Sequence, residues 1–109
     1  AIVRQLIETA LELNGYEVLS FSNAEPALKT LDFATIDLII TNLSIPTRGE
    51  EAIYTLRNSG IDIPIFILSG LVGEQDVIPL HSIGANRILS KPFEVKIFLE
   101  TVRELLQPS

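Results

Sequence analysis

Two strand-length runs, DLIIT at 37–41 and IPIFILS at 63–69, carry consecutive apolar residues with no polar alternation. Successive side chains of a strand point to opposite faces, so a strand with one wet face alternates. These runs must therefore be covered on both sides. A parallel sheet sandwiched between helices meets that demand, and the intervening segments supply the helices.

Ile2, Val3, Leu6, Ile7, Ala10 and Leu11 recur at helical spacing, and Asn14-Gly15 stops that helix. YEVLSF alternates and reads as a strand from Tyr16 to Phe21. Asn23 caps a second helix with Glu25 and Pro26 in its first turn, reaching about Phe33. Gly49 to Asn58 reads as a helix closed by Gly60, and Gln75 to Ile83 as a weaker one interrupted by Pro79. RILS at 87–90 is a short strand before Lys91-Pro92. From Phe93 to Leu106 a strong amphipathic helix carries Phe93, Ile97, Phe98, Val102 and Leu105 along one side. Phe66, Phe93 and Phe98 are core candidates. The order α-β-α-β-α-β-α-β-α implies right-handed crossovers and an open, doubly wound parallel sheet with helices on both faces. It also leaves five helices for four strands, where a doubly wound domain ordinarily opens with a strand.

The 109 residues suit a single domain, 1–109, with one core. A mean hydropathy of +0.37 argues against disorder, and no apolar run approaches the roughly 18 residues of a membrane span. Cysteine is absent, which excludes disulfides and thiolate metal sites. The net charge is −6 with scattered Lys and Arg, against a nucleic-acid surface. The expectation is a soluble, cytoplasmic domain that contacts neither nucleic acid nor membrane. His81 stands alone and reads as a surface or packing residue, while Asp37 and Asp62 lie at strand starts, the wrong end for chemistry.

In open α/β sheets, function gathers at the carboxyl ends of the strands. Here those ends hold Asn42, Ser69-Gly70 and Ser90-Lys91-Pro92. GYEV, DLII running into Asn42, IPIFILSG and GANRILSKPF, in this order and spacing, resemble the receiver domain of two-component response regulators along the whole chain. The resemblance implies a flavodoxin-like, CheY-like sheet of order 2-1-3-4-5. It implies phosphoryl transfer to an Asp at the end of the third strand, with Mg²⁺ held by that Asp, an acidic pair and a backbone carbonyl. By the same resemblance, Asn42 takes the acceptor position and Ser44 and Pro46 the acceptor loop. Ser69 and Lys91 take the positions that contact the phosphoryl oxygens, and Pro92 follows through a cis bond.

The chain departs from that pattern in several places. Asn42 is a neutral amide, a poor nucleophile and a weak Mg²⁺ ligand, so no acyl phosphate is expected. Ile88 stands where many members carry an aromatic switch residue. The acidic pair and the first strand would precede Ala1. No cofactor is therefore expected of the chain as it stands, and Mg²⁺ only if an upstream acidic pair exists. Thr47-Arg48-Gly49 is one residue short of the family spacing at a slot that often holds Met, in a chain with no Met, consistent with omitted methionines.

The family's first strand is central. The expectation is that it lies upstream, with a swapped strand or a re-paired four-stranded sheet as the less favoured alternatives. The function expected is that of a non-enzymatic receiver acting through protein partners: a histidine kinase, an output domain or itself. A surface made by the last two helices and strand 87–90 is the expected contact. A natural Asn42 implies phosphorylation-independent signalling or a structural dimerisation module, whereas an engineered one implies a phosphoacceptor parent. The alternatives are a flavodoxin-like ligand-binding or enzymatic domain, which would want a phosphate-cradling loop that 41–49 lacks, and a fragment of a larger β/α enzyme.

Overall fold

The structure is a computed structural model, and it describes residues 2–19, 32–43, 53–70 and 84–107. The expected helices at 23–33 and 75–83, apart from the end of the first, and Ser44, Pro46 and His81 lie outside those residues. The described elements are α1 (Ile2–Leu13), β1 (Ile39–Leu43), α2 (helical at 53–58), β2 (Ile65–Ser69), β3 (Arg87–Ser90) and α3 (Val95–Leu106). A 3-10 turn, Phe33–Thr35, stands where the second helix was expected to end, with the Ala34 amide donating to Asp32 Oδ1 and the Thr35 amide to Asp32 O.

The three strands form a parallel sheet in the order β1-β2-β3. Ile40 pairs with Phe66, and Phe66 with Arg87. β2 is the middle strand, and Ile65, Phe66, Ile67 and Leu68 are fully buried. Its even-numbered residues face one helix layer and its odd-numbered residues the other. Phe66 and Leu68 join Ile7 and Leu11 of α1 and Phe98 and Val102 of α3. Ile65 and Ile67 join Ile53 and Leu56 of α2, and Ala85. The consecutive apolar residues thus fill two cores, as a doubly covered sheet requires. Each such side chain contributes about 1.5–3 kcal/mol through burial. The Phe66 and Phe98 rings stack at 5.6 Å between centroids, and Phe93 lies 5.8 Å from Phe98.

Two helices end in the same way. Gly15 N–H donates to Glu12 O at 3.1 Å and Tyr16 N–H to Leu11 O at 3.1 Å. Gly60 N–H donates to Arg57 O at 3.1 Å and Ile61 N–H to Leu56 O at 3.2 Å. These are paired Schellman caps, with glycine at φ of +87° and +84°. Each cap sets an apolar residue, Tyr16 or Ile61, into the core that its own helix lines.

Two expectations need correction. Residues 16–19, read as the start of a strand, join no ladder. In the 2-1-3-4-5 order their partner is the family's first strand, which is not among the described residues. The alternation itself survives, since Tyr16 and Val18 pack on the core while Glu17 and Leu19 are exposed. Ile97, placed on the buried side of the last helix, is 41% exposed. The buried stripe is Phe98 and Val102, flanked by Leu105, and Ile97 sits about 100° round the helix from Phe98. Phe93 lies before α3, in the turn after Pro92.

Candidate functional site at the carboxyl end of the sheet

Parallel strands bring their carboxyl ends to one edge. Leu43 pairs with Ser69, and Ser69 with Ser90, so the last residues of all three strands form one row. Asn42 lies one position below that row, paired with Leu68. Lys91 lies one position beyond it. The backbones of Asn42 and Ser69 are therefore about 6 Å apart, given ~4.8 Å between strands and ~3.3 Å per residue. Residues far apart in sequence meet at one pole: the two apolar runs set β1 against β2, and β3, paired to β2, brings Lys91 beside them. A one-residue slip would exchange the two cores.

Lys91 is half-buried, and its bond to Pro92 is cis. Exposed Gly70 leads the chain away from Ser69. Ile88 sits lower on β3, opposite Ile67, half-buried against the cluster of Ile53, Leu56 and Ala85. An aliphatic residue there is a packing residue of the α2 core.

For Mg²⁺ the described donor set does not fit. Hard cations of this type take anionic oxygen ligands. Asn42 offers an amide, and no group of three His, Cys, Asp or Glu gathers among the described residues.

At the opposite pole lies a cluster that the sequence reading did not single out. Arg57 of α2 donates from Nη1 to Ile61 O at 2.9 Å and Ile63 O at 2.8 Å, and from Nη2 to Gly84 O at 2.7 Å. Nε reaches the same Gly84 carbonyl at 3.2 Å, and Nη2 also donates to Asn86 Oδ1 at 2.9 Å. That Oδ1 accepts Ile65 N–H at 2.9 Å, while Asn86 N–H donates to Ile65 O at 2.8 Å. Gly84 has φ of +122°, and a Cβ there would stand 2.6 Å from Cγ and Nε of Arg57. The legible signals were Gly84-Ala85-Asn86 at the strand entry and a lone Arg in the last turn of α2. Nothing in sequence spacing says that they meet.

With this geometry established, the comparisons fix the class. A family model of the response regulator receiver domain matches residues 1–103. The chain belongs to that family: it is a receiver domain of the two-component response regulators. It is similar to a probable transcriptional regulatory protein of Picosynechococcus sp., at 32% identity over 98% of this chain and 46% of the relative. The nisin biosynthesis regulatory protein NisR of Lactococcus lactis is 33% identical over 86% of the chain and 41% of that protein. The chain thus spans less than half the length of these curated relatives. Among solved structures, the Vibrio cholerae chemotaxis protein CheY4 superposes with a TM-score of 0.83 at 27% identity, covering 96% of this chain and 90% of that one. A Francisella response regulator receiver domain gives 0.83 at 26% identity, covering 96% and 88%. The observed β1-β2-β3 order corresponds to strands 3-4-5 of the family sheet. Receiver domains in general are non-enzymatic signalling domains that interact with histidine kinases and output domains. Among the described residues, no helix is long and apolar enough to cross a membrane.

Proposed function

We propose that this receiver does not accept a phosphoryl group at Asn42 and signals through protein contacts alone. The observation that carries this reading is the meeting of Asn42, Ser69 and Lys91 at the carboxyl pole with an amide in the acceptor position. Acyl phosphate formation needs an anionic oxygen to attack phosphorus, and a carboxamide supplies none. Ser69 and Lys91 retain the residue types that meet a phosphoryl group, so within 1–109 the pole differs from a working one at Asn42. Ser44 and Pro46 belong to the acceptor loop in this reading.

Residues 1–109 work as one cytoplasmic, non-enzymatic unit, with Mg²⁺ bound only where an acidic pair is supplied from upstream. The partner is a histidine kinase, an output domain or a second copy, met through β3 and α3 together with the segment at 75–83. Neither nucleic acid nor membrane is contacted by this unit. Curated relatives more than twice its length that are named probable transcriptional regulators support a DNA-directed output elsewhere in the protein.

Intact mass before and after a small phosphodonor with Mg²⁺ tests the central claim. No gain is expected for the chain as it stands. Gain of one phosphoryl group that persists after Asn42→Ala would place the acceptor elsewhere, and gain abolished by that substitution would overturn the reading at Asn42 itself.

A further inference from the structure

We propose that Arg57 and Asn86, at the amino pole of the sheet, are positioning residues for Lys91 at the carboxyl pole. β3 is only four residues long and, among the described residues, pairs with β2 alone. Its first residue is tied to α3 by the Arg87–Glu104 pair at 2.8 Å, which is half exposed on both sides and so a weak restraint. What fixes the height of β3 against β2 is the bracket just below it. Asn86 exchanges two hydrogen bonds with Ile65, one from its backbone and one through Oδ1, so its side chain stands in for a ladder carbonyl. Arg57 holds the same Oδ1 and, two residues earlier, Gly84 O. Both sides of Ala85 are pinned, and Ala85 is itself buried in the α2 core.

From that bracket the strand runs five residues to Lys91, about 16 Å at ~3.3 Å per residue. A two-residue slip keeps the alternation of faces but moves Lys91 by about 7 Å, roughly one and a half strand spacings away from the end of β2. The guanidinium fork suits this task because it holds four separate acceptors in fixed directions, which an ammonium does not. The proposal rests on the assignment of Lys91 to the site for its meaning. Its geometry stands apart from any phosphoryl chemistry, and the test uses none.

The test is amide NMR and hydrogen exchange on the protein as it exists, comparing Asn86→Ala with Gly15→Ala, a change at the far end of α1 that touches no part of β3. Asn86→Ala is expected to shift the Ser90 and Lys91 amides and to speed exchange at Ile88 and Ser90 about tenfold beyond Gly15→Ala, after both are scaled to their global stabilities. Asn86→Asp, which retains the acceptor oxygen, restores both. Where Asn86→Ala does not fold, Arg57→Lys carries the same comparison, with effects of the same sign. Perturbation confined to Ile65, Gly84 and Asn86, with Ser90 and Lys91 matching the Gly15→Ala protein, would show a local loop brace and overturn the proposal.

Discussion

Replacing Gly84 with Ala tests whether the close approach of Arg57 is the reason for glycine. Two costs are expected, and a mutant cycle separates them. The first is backbone strain, since φ of +122° lies where side chains are rarely tolerated, at a cost of about 1–3 kcal/mol. The second is steric. The new Cβ would meet Cγ and Nε of Arg57 at 2.6 Å, in the middle of a side chain pinned by five hydrogen bonds. Moving it sacrifices several bonds to part-buried carbonyls, each contributing about 1 kcal/mol net. The sum is about 4 kcal/mol, a large share of the ~5–15 kcal/mol by which domains are stable. In an Arg57→Ala background only the strain remains, about 2 kcal/mol, which leaves a coupling of about 2 kcal/mol between the two positions. Urea unfolding of the four proteins, with slopes compared to keep the cycle two-state, reads this directly. A coupling below about 0.5 kcal/mol, the ordinary error of additivity, would refute the claim that the two side-chain sites compete for one space.

Other expectations follow from the packing. Phe98→Ala removes a ring that is 1% exposed and stacked on Phe66, and should cost about 3–5 kcal/mol in chemical denaturation. Gly60→Ala meets nothing within 4 Å, so it should cost only the strain of φ +84°, about 1–2 kcal/mol, with Gly60→Asn recovering part of it in the same assay. Glu104→Ala breaks a pair whose side chains are 51% and 53% exposed, and the unfolding free energy should fall by no more than about 0.5 kcal/mol, less at high salt.

The fold was legible where local chemistry and long-range packing ask for the same thing. Consecutive apolar residues at 63–69 have no stable arrangement except a doubly covered strand, and β2 is that strand. Asn14-Gly15 and Gly60 stop helices by backbone geometry that involves only neighbours, and both caps lie where they were read. The described part of the strand read at Tyr16–Phe21, residues 16–19, departs from that reading for the converse reason. The alternation at 16–19 describes a strand, but a ladder also needs a partner, and among the described residues these four have none. The site was legible as a set of strand ends, because parallel register converts distant positions into one row. The Arg57 bracket was not, since its acceptors are mostly backbone carbonyls, which every residue possesses and no sequence advertises.

Among the described residues the two cores lie on opposite faces of β2, whose residues 65–68 are buried completely. Mechanically it is a rod clamped along its length by α1 and α3 on one face and by α2 on the other, with Ser69 at its tip. A load applied to either layer is carried by that rod before it reaches the other layer. A partner that leans on α3 therefore presses, through Phe98 and Phe66, on the strand whose end borders Asn42 and Lys91. Mechanical traffic between the outer surface and the carboxyl pole needs no covalent event at the pole to begin it.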